Sequence, residues 1–221
     1  MVGQKEAILV IGARGHAKEI LELLHRQNRL QDLAFFDDIS TDQPELFYNQ
    51  YPIYCSINEV KERFINKPHF VLGVGNPLTR YQLSQKLINI GGILASIIAD
   101  DAFIGHYEVL LQTGLNVMSR VMISNSVSVG EGTLLNSGCA LHHDVQVGRY
   151  CDIAPGAMLL GGCSVGDWCS IGAQATILPK VKIGDNVVIG AGTVITKNVD
   201  DNCVMVGVPG IRIKNLDPLI L

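Results

Sequence analysis

The residues of this chain best suited to moving a proton are two adjacent imidazoles followed by a carboxylate, His142-His143-Asp144. Imidazole is the side chain whose ordinary pKa lies near neutrality, which suits a general base. A neighbouring carboxylate can hold the ring in one tautomer and stabilise its cation, as the acid does in a Ser-His-Asp triad. The trio closes the polar stretch Asn136-Ser137-Gly138-Cys139-Ala140-Leu141-His142-His143-Asp144, within an otherwise aliphatic, Gly-rich region. Asn136 is a further candidate for substrate contact. The plain alternative is two solvated histidines in a turn.

A second group suits phosphate. An apolar run over residues 6–11 ends in Gly12-Ala13-Arg14-Gly15-His16, and a helical pattern follows with Ile20, Leu21, Leu23 and Leu24 on one face. A strand, a Gly-rich turn and a helix together present backbone N–H groups and a positive helix end to an anion. The spacing is G-x-x-G-H and not G-x-G-x-x-G, so the dinucleotide fingerprint fails. A mononucleotide or nucleotide-sugar site fits better than NAD, with a ligand-free tight turn as the alternative. Asp37-Asp38 end a second strand expected over 33–36, where carboxylates accept hydrogen bonds from ribose or base donors. Two solvated acids opening a loop would read the same.

These groups need elements to hold them. A third strand is expected over 70–74, leading through Gly75-Asn76-Pro77 into a helix that carries Arg80, Leu83 and Leu87. Gly91-Gly92 then precedes a strand-like Ala95-Ser96-Ile97-Ile98. This alternation predicts a small Rossmann-like α/β domain over residues 1–100. Beyond it an aliphatic residue recurs at every sixth position from Ile123 to Ile195. Two residues before each from Val129 onward stands a compact side chain, among them Val127, Thr133, Cys139, Cys151 and Ala157. Neither the helical period near 3.6 nor the strand period of 2 gives a strict six. A parallel β-helix with three short faces per coil does, and residues 103–196 would supply about five coils. Residues 101–221 are therefore expected to form that β-helix and a tail. The frequent Gly after the aliphatic, as at Gly130, Gly148 and Gly166, is expected where a tight corner needs positive φ. With Leu141 inside, His142 and His143 fall at a corner facing outward.

Bulk properties narrow the class. With 221 residues, 48% hydrophobic and 17% charged, the chain reads as globular. A net charge of −4 gives no ground for nucleic acid or a membrane surface as partner. The first residues lack a secretory pattern, and no apolar run approaches the ~18 residues of a spanning helix, so a cytoplasmic address is expected. Of six cysteines, Cys139, Cys151, Cys163 and Cys169 occupy the compact inward slot, where a thiol acts as a small hydrophobe. Without a C-x-x-C pair, no metal is expected.

The hexads resemble the left-handed β-helix acyltransferases. The two-part layout is similar to the nucleotide-sugar N-acetyltransferases and the related sialic acid O-acetyltransferases. The marks are Gly12-x-x-Gly15-His16, Phe36-Asp37-Asp38, Gly75-Asn76 with Arg80, His143-Asp144, Ile153-Ala154-Pro155-Gly156-Ala157 and Val206-Gly207-Val208-Pro209-Gly210. The resemblance implies a homotrimer with each active site in a groove between subunits, and acetyl-CoA along the later coils. It implies a nucleotide-activated amino sugar on the N-terminal domain, held by Gly12, Arg14, Gly15, His16, Asp37, Asp38, Gly75, Asn76 and Arg80. His143 would be the general base and Asp144 its partner, with a backbone N–H near Gly161 for the oxyanion. Asp152, Gly161, Ala173, Lys180, Gly190 and Lys197, with Lys214 of the tail, would meet acetyl-CoA. Two departures stand out. His142 occupies a place that is acidic in many members, and Asp152 falls where many carry a second histidine.

The function so implied is acetyl transfer from acetyl-CoA to the amine of a nucleotide-linked sugar, first a 4-amino-4,6-dideoxyhexose, for surface-glycan biosynthesis. The rival is O-acetylation of a sugar of the sialic acid type. Other classes are a prism-shaped carbonic anhydrase, which needs three histidines on zinc where the solenoid has only His106, His142 and His143, and a non-catalytic scaffold. The nucleotide carrier (UDP, dTDP or GDP) stays open.

Overall fold

Four consecutive apolar residues, Ile8 to Ile11, are buried on every side, as a central strand of a parallel sheet requires. The structure, a computed structural model, describes residues 8–40, 42, 44–64 and 69–220. Residues 6 and 7 of the expected first strand lie outside the described residues. The chain divides into two units, residues up to Gly75 with Thr79–Ala95, and Asn76–Leu78 with Ser96 onward.

The first unit runs β1 (Leu9–Ile11), α1 (Gly15–Arg26), β2 (Ala34–Phe36), β3 (Leu46–Phe47), β4 (Tyr51–Tyr54), α2 (Ile57–Phe64), β5 (His69–Leu72), α3 (Pro77–Ile88) and β6 (Ile93–Leu94). Sheet order is β3-β4-β2-β1-β5-β6, all parallel except the β3–β4 hairpin. The order reverses between β1 and β5, so the crevice beyond their C-terminal ends is the topological switch point of the sheet. Helix α1 buries Ala17, Ile20, Leu23 and Leu24 against it. The hairpin and α2 have no counterpart in the sequence reading, because a two-residue strand, a four-residue strand interrupted by Pro52 and a one-sided eight-residue helix leave little periodicity. Of the strand expected over 95–98 only Ile97–Ile98 is extended, and it begins the second unit; β6, just before it, finishes this sheet.

The second unit is the expected parallel β-helix. Its strands are mostly two residues long and pair with strands 18 residues away, as in Leu135↔Ile153. Among the described residues the first face has eight strands from Ile97–Ile98 to the closing hairpin Cys203–Val206 and Ile211–Asn215. The second has six, from Phe103–Ile104 to Val194–Ile195, and the third has five, from Leu110–Leu111 to Lys182–Ile183. Every aliphatic of the hexad from Ile123 to Ile195 is buried, and so is the compact residue two positions before each from Val129 onward. Burying one such aliphatic contributes about 1.5–3 kcal/mol. The buried Thr133 is satisfied within the core, donating to the Gly148 carbonyl at 2.8 Å and accepting from Cys151 N–H at 3.0 Å.

The corners correct one expectation. Positive φ recurs at every sixth residue from Glu108 to Gly192, three positions after the aliphatic and not one. Asp144 (φ 63°) and Lys180 (φ 62°) are in this series, so their backbone is ordinary for the fold. The glycine directly after the aliphatic serves another purpose. A Cβ on Gly130 would lie 2.5 Å from the Gly148 carbonyl carbon, so the close approach of the next coil excludes a side chain there.

Candidate active site

His143 and Asp144 stand at the corner between the second-face strand Ala140–Leu141 and the third-face strand Gln146–Val147. His143 Nδ1 is 2.7 Å from Asp144 Oδ2. Asp144 N–H donates to Asn125 O of the coil before at 3.2 Å, and Gly162 N–H of the coil after donates to His143 O at 2.9 Å. Both side chains are well exposed, 70% and 63%. A carboxylate on Nδ1 fixes the neutral ring with its proton there, which turns the Nε2 lone pair outward. The residue stacked over the ring is Gly161, where a Cβ would stand 2.5 Å from His143 Cε1 and 2.6 Å from Nε2. A glycine is the side chain that leaves this imidazole its place. His142 differs: its Nε2 is buried without a hydrogen-bond partner, and its main chain continues the ladder to Leu159 O at 2.9 Å.

The other prism candidates separate into two sets. Lys180 N–H bonds Gly161 O at 3.1 Å, so Lys180 occupies the His143 corner one coil beyond Gly161; Lys197 follows where the chain next passes between the same two faces. Asn136, Ala173 and Gly190 lie instead at the corner between the first and second faces. Asn136 is therefore not beside the histidines, as its closeness in sequence suggested: six residues turn the chain through one whole face. Its Nδ2 donates to Asp152 Oδ1 at 3.3 Å on the first face. Asp152 also adds its charge to the burial that pushes the Cys139 thiol up to about 12.

In the first unit, the switch point is built from two glycines packed on each other. Gly12 (φ 105°) donates to Phe36 O at 2.7 Å, and a Cβ there would meet Val74 Cγ1 at 2.8 Å. Gly73 donates to Ile11 O at 2.7 Å. Helix α1 then starts with no side-chain cap, leaving its first N–H groups to a ligand or water. A Cβ on Gly15 would meet nothing within 4 Å, so the approach to that helix end is open. His16 Nδ1 lies 3.0 Å from Glu19 Oε2, and this bond holds the Glu19 carboxyl below the usual carboxylate range.

Other candidates there have structural partners. Asp37 Oδ1 accepts from the backbone N–H groups of Ile39 and Ser40 at 3.1 and 3.0 Å, and Oδ2 from the Ser40 hydroxyl at 2.9 Å, so it shapes the loop after β2. Asp38 pairs with Lys86 of α3. Arg80 was expected to meet ligand directly, yet it is fully buried, its Nη1 donating to the carbonyls of Val74 at 2.7 Å and Leu72 at 3.3 Å. It supports the turn carrying Gly75 from beneath. Gly75 is half-buried and Asn76 exposed in that turn.

Sequence reading missed a cavity of about 300 Å³ beside the Gly12–Gly15 turn. Arg14, Gly15 and Lys18 line one side, and Asp42, Pro44, Phe47 and Tyr48 the other. The second wall belongs to the loop and hairpin that periodicity did not reveal. Among the described residues, no three His, Cys, Asp or Glu side chains gather as metal ligands, and no helix is long and apolar enough to cross a membrane.

Comparison with known proteins agrees with both units. Residues 7–87 match the family described as PglD N-terminal domain, and residues 162–197 match the bacterial transferase hexapeptide (six repeats). PerB from Caulobacter crescentus, solved in complex with CoA and GDP-perosamine, is 27% identical, with a TM-score of 0.85 over 97% of this chain and 99% of that one. A histidine-to-asparagine variant of perosamine N-acetyltransferase from the same organism, also with CoA and GDP-perosamine, is 26% identical (TM-score 0.86, 97% and 99%). The acetyltransferase domain of PglB from Neisseria gonorrhoeae FA1090 is 25% identical (TM-score 0.85, 94% and 100%). With a PglD-type α/β unit joined to a hexapeptide-repeat left-handed β-helix, along the full length of solved acetyltransferases, the chain matches the two-part pattern of the hexapeptide-repeat nucleotide-sugar N-acetyltransferases.

Proposed function

We propose that this protein transfers the acetyl group of acetyl-CoA to the amino group of a nucleotide-linked sugar, a 4-amino-4,6-dideoxyhexose, for surface-glycan biosynthesis. The observation that carries the reading is the His143–Asp144 pair, 2.7 Å apart, beneath a glycine that leaves Nε2 accessible. Nε2 takes a proton as the sugar nitrogen attacks the thioester carbonyl directly. The backbone N–H near Gly161 stabilises the oxyanion, the C–S bond breaks, and the imidazolium returns the proton to the departing CoA thiolate. Asp144 stabilises the imidazolium between these steps. Support from relatives is specific: PerB was solved with CoA and GDP-perosamine, and so were variants of perosamine N-acetyltransferase with one histidine replaced.

In this reading the N-terminal domain, residues 1–100, holds the nucleotide sugar, and the β-helix, residues 101–221, holds acetyl-CoA, in the cytoplasm. The protein is a homotrimer. Two corners of one prism carry the candidate residues, and the face between them presents the outer column Phe103, Met122, Ala140, Met158, Thr176 and Val194. That column is apolar or uncharged throughout, whereas the third face, after an exposed Leu110, carries Ser128, Gln146, Ser164 and Lys182. Packing the apolar column against a neighbouring copy brings the His143 corner of one subunit toward the Asn136 corner of the next. The test is thiol release from acetyl-CoA against a panel of nucleotide 4-amino sugars and free sialic acid. Transfer only to an amino sugar supports the reading; transfer only to sialic acid replaces it with O-acetylation.

A further inference from the structure

The cavity beside the Gly12–Gly15 turn combines cations, an aromatic ring and a carboxylate within about 300 Å³, space for one nucleoside. We propose that it is a nucleobase pocket selective for guanine, in which Asp42 accepts hydrogen bonds from the donor edge of the base and Tyr48 stacks on its face. This inference rests on the nucleotide-sugar reading above and names the carrier as a guanosine diphosphate.

Each wall contributes separately. Arg14 and Lys18 come from the start of α1, where the uncapped helix end already favours phosphate. Tyr48 sits in the β3–β4 turn, 61% exposed. Its ring meets Phe47 edge-on at 5.1 Å, and Phe47 packs on Phe35 at 4.3 Å, so the tyrosine is buttressed from the core while much of it stays open. A base–aromatic stack needs such a ring, held on one side and open on another.

Asp42 supplies the selectivity. Its carboxylate pairs with the Arg14 guanidinium, whose Nε also donates to Ser40 Oγ at 3.1 Å, and the Asp42 side chain is 79% exposed. The adjacent guanidinium holds the Asp42 carboxyl below the usual carboxylate range. An ionised carboxylate only accepts, through about four lone-pair sites on two oxygens, so pairing with Arg14 leaves sites for a base. Guanine presents N1–H and the 2-amino group side by side, two donors for two oxygens. Uracil and thymine present one N–H between two carbonyl oxygens, which a carboxylate repels. Adenine sets its amino group beside an acceptor nitrogen.

The experiment is calorimetric titration of the full chain with GDP, IDP, UDP and dTDP. GDP is expected to bind about 10- to 100-fold more tightly than UDP or dTDP, the discrimination given by a bidentate base contact, with IDP, which lacks the 2-amino group, in between. In Asp42→Asn the lead of GDP should shrink to about threefold while UDP binding persists, which also reports that the variant is folded. Tyr48→Ala should weaken all four by about tenfold. UDP or dTDP binding as tightly as GDP, or an Asp42→Asn variant weakened equally for all, overturns the guanine assignment and leaves the nucleotide-sugar reading intact. Failure of every nucleoside diphosphate to bind overturns both.

Discussion

At the scale of single residues, the proposed chemistry comes down to one imidazole with a partner and another without. His143→Ala should lower kcat by about 10²–10⁴, the usual worth of a general base, whereas His142→Ala should stay within about tenfold of the parent. Asp144→Asn should lower kcat by about 10- to 100-fold with KM for acetyl-CoA little changed, because in the proposed mechanism the carboxylate acts on the base and not on the donor. Steady-state thiol release measures all three. The cysteines make an independent prediction. Five of them are buried and Cys55 is exposed, so a thiol reagent should modify one thiol per native chain and all six after denaturation. Burial pushes the Cys139 and Cys163 thiols from 9.0 to about 12. The folded chain thus holds these protons more tightly than the unfolded chain. Their contribution to stability is intact below pH 9.0 and falls as pH rises toward about 12, so Tm should drop between pH 9 and 11 in a circular-dichroism melt.

At the scale of elements, two kinds of glycine should respond differently to the same change. Gly130→Ala drives a methyl into the backbone of the next coil, with Gly148 C, Gly148 O and Arg149 N all within 2.7 Å, and should cost about 1–3 kcal/mol in a denaturant titration. Gly161→Ala meets only the His143 ring, which is exposed and can turn away. It should leave stability within about 0.5 kcal/mol while lowering kcat by about tenfold or more. Equal loss of stability in both variants would contradict this distinction. The hexads were legible because each coil repeats the same burial, so one error could not hide among thirteen repetitions. The reason for the corner glycines was not legible: aliphatic-plus-one carries the close approach and aliphatic-plus-three carries positive φ, and both favour glycine. Arg80 looks the same in sequence whether it faces ligand or spends its guanidinium on Leu72 and Val74 carbonyls. The Tyr48 wall stayed hidden because one of its strands is two residues long and the other, of four, contains Pro52, which argues against a strand in sequence.

At the scale of the whole molecule, the proposed function takes its base from the prism and its carrier site from the α/β unit, and neither alone specifies the reaction. Asn136, with Asp152 of the adjoining first face, lies at a different corner from His143, a separation that follows from the six-residue face and that linear sequence conceals. The assembly proposed through the second face predicts a trimer in sedimentation equilibrium, and Met158→Glu on that face should shift it toward monomer and lower acetyl transfer together. A monomeric variant with full activity would contradict a shared site. The central claim is best tested by single-turnover acetyl transfer from acetyl-CoA to a GDP-linked 4-amino-4,6-dideoxyhexose, comparing the parent chain with His143→Ala. The account predicts N-acetylated product from the parent and a rate at least about a hundredfold lower from the variant; transfer by His143→Ala at near the parent rate would contradict it.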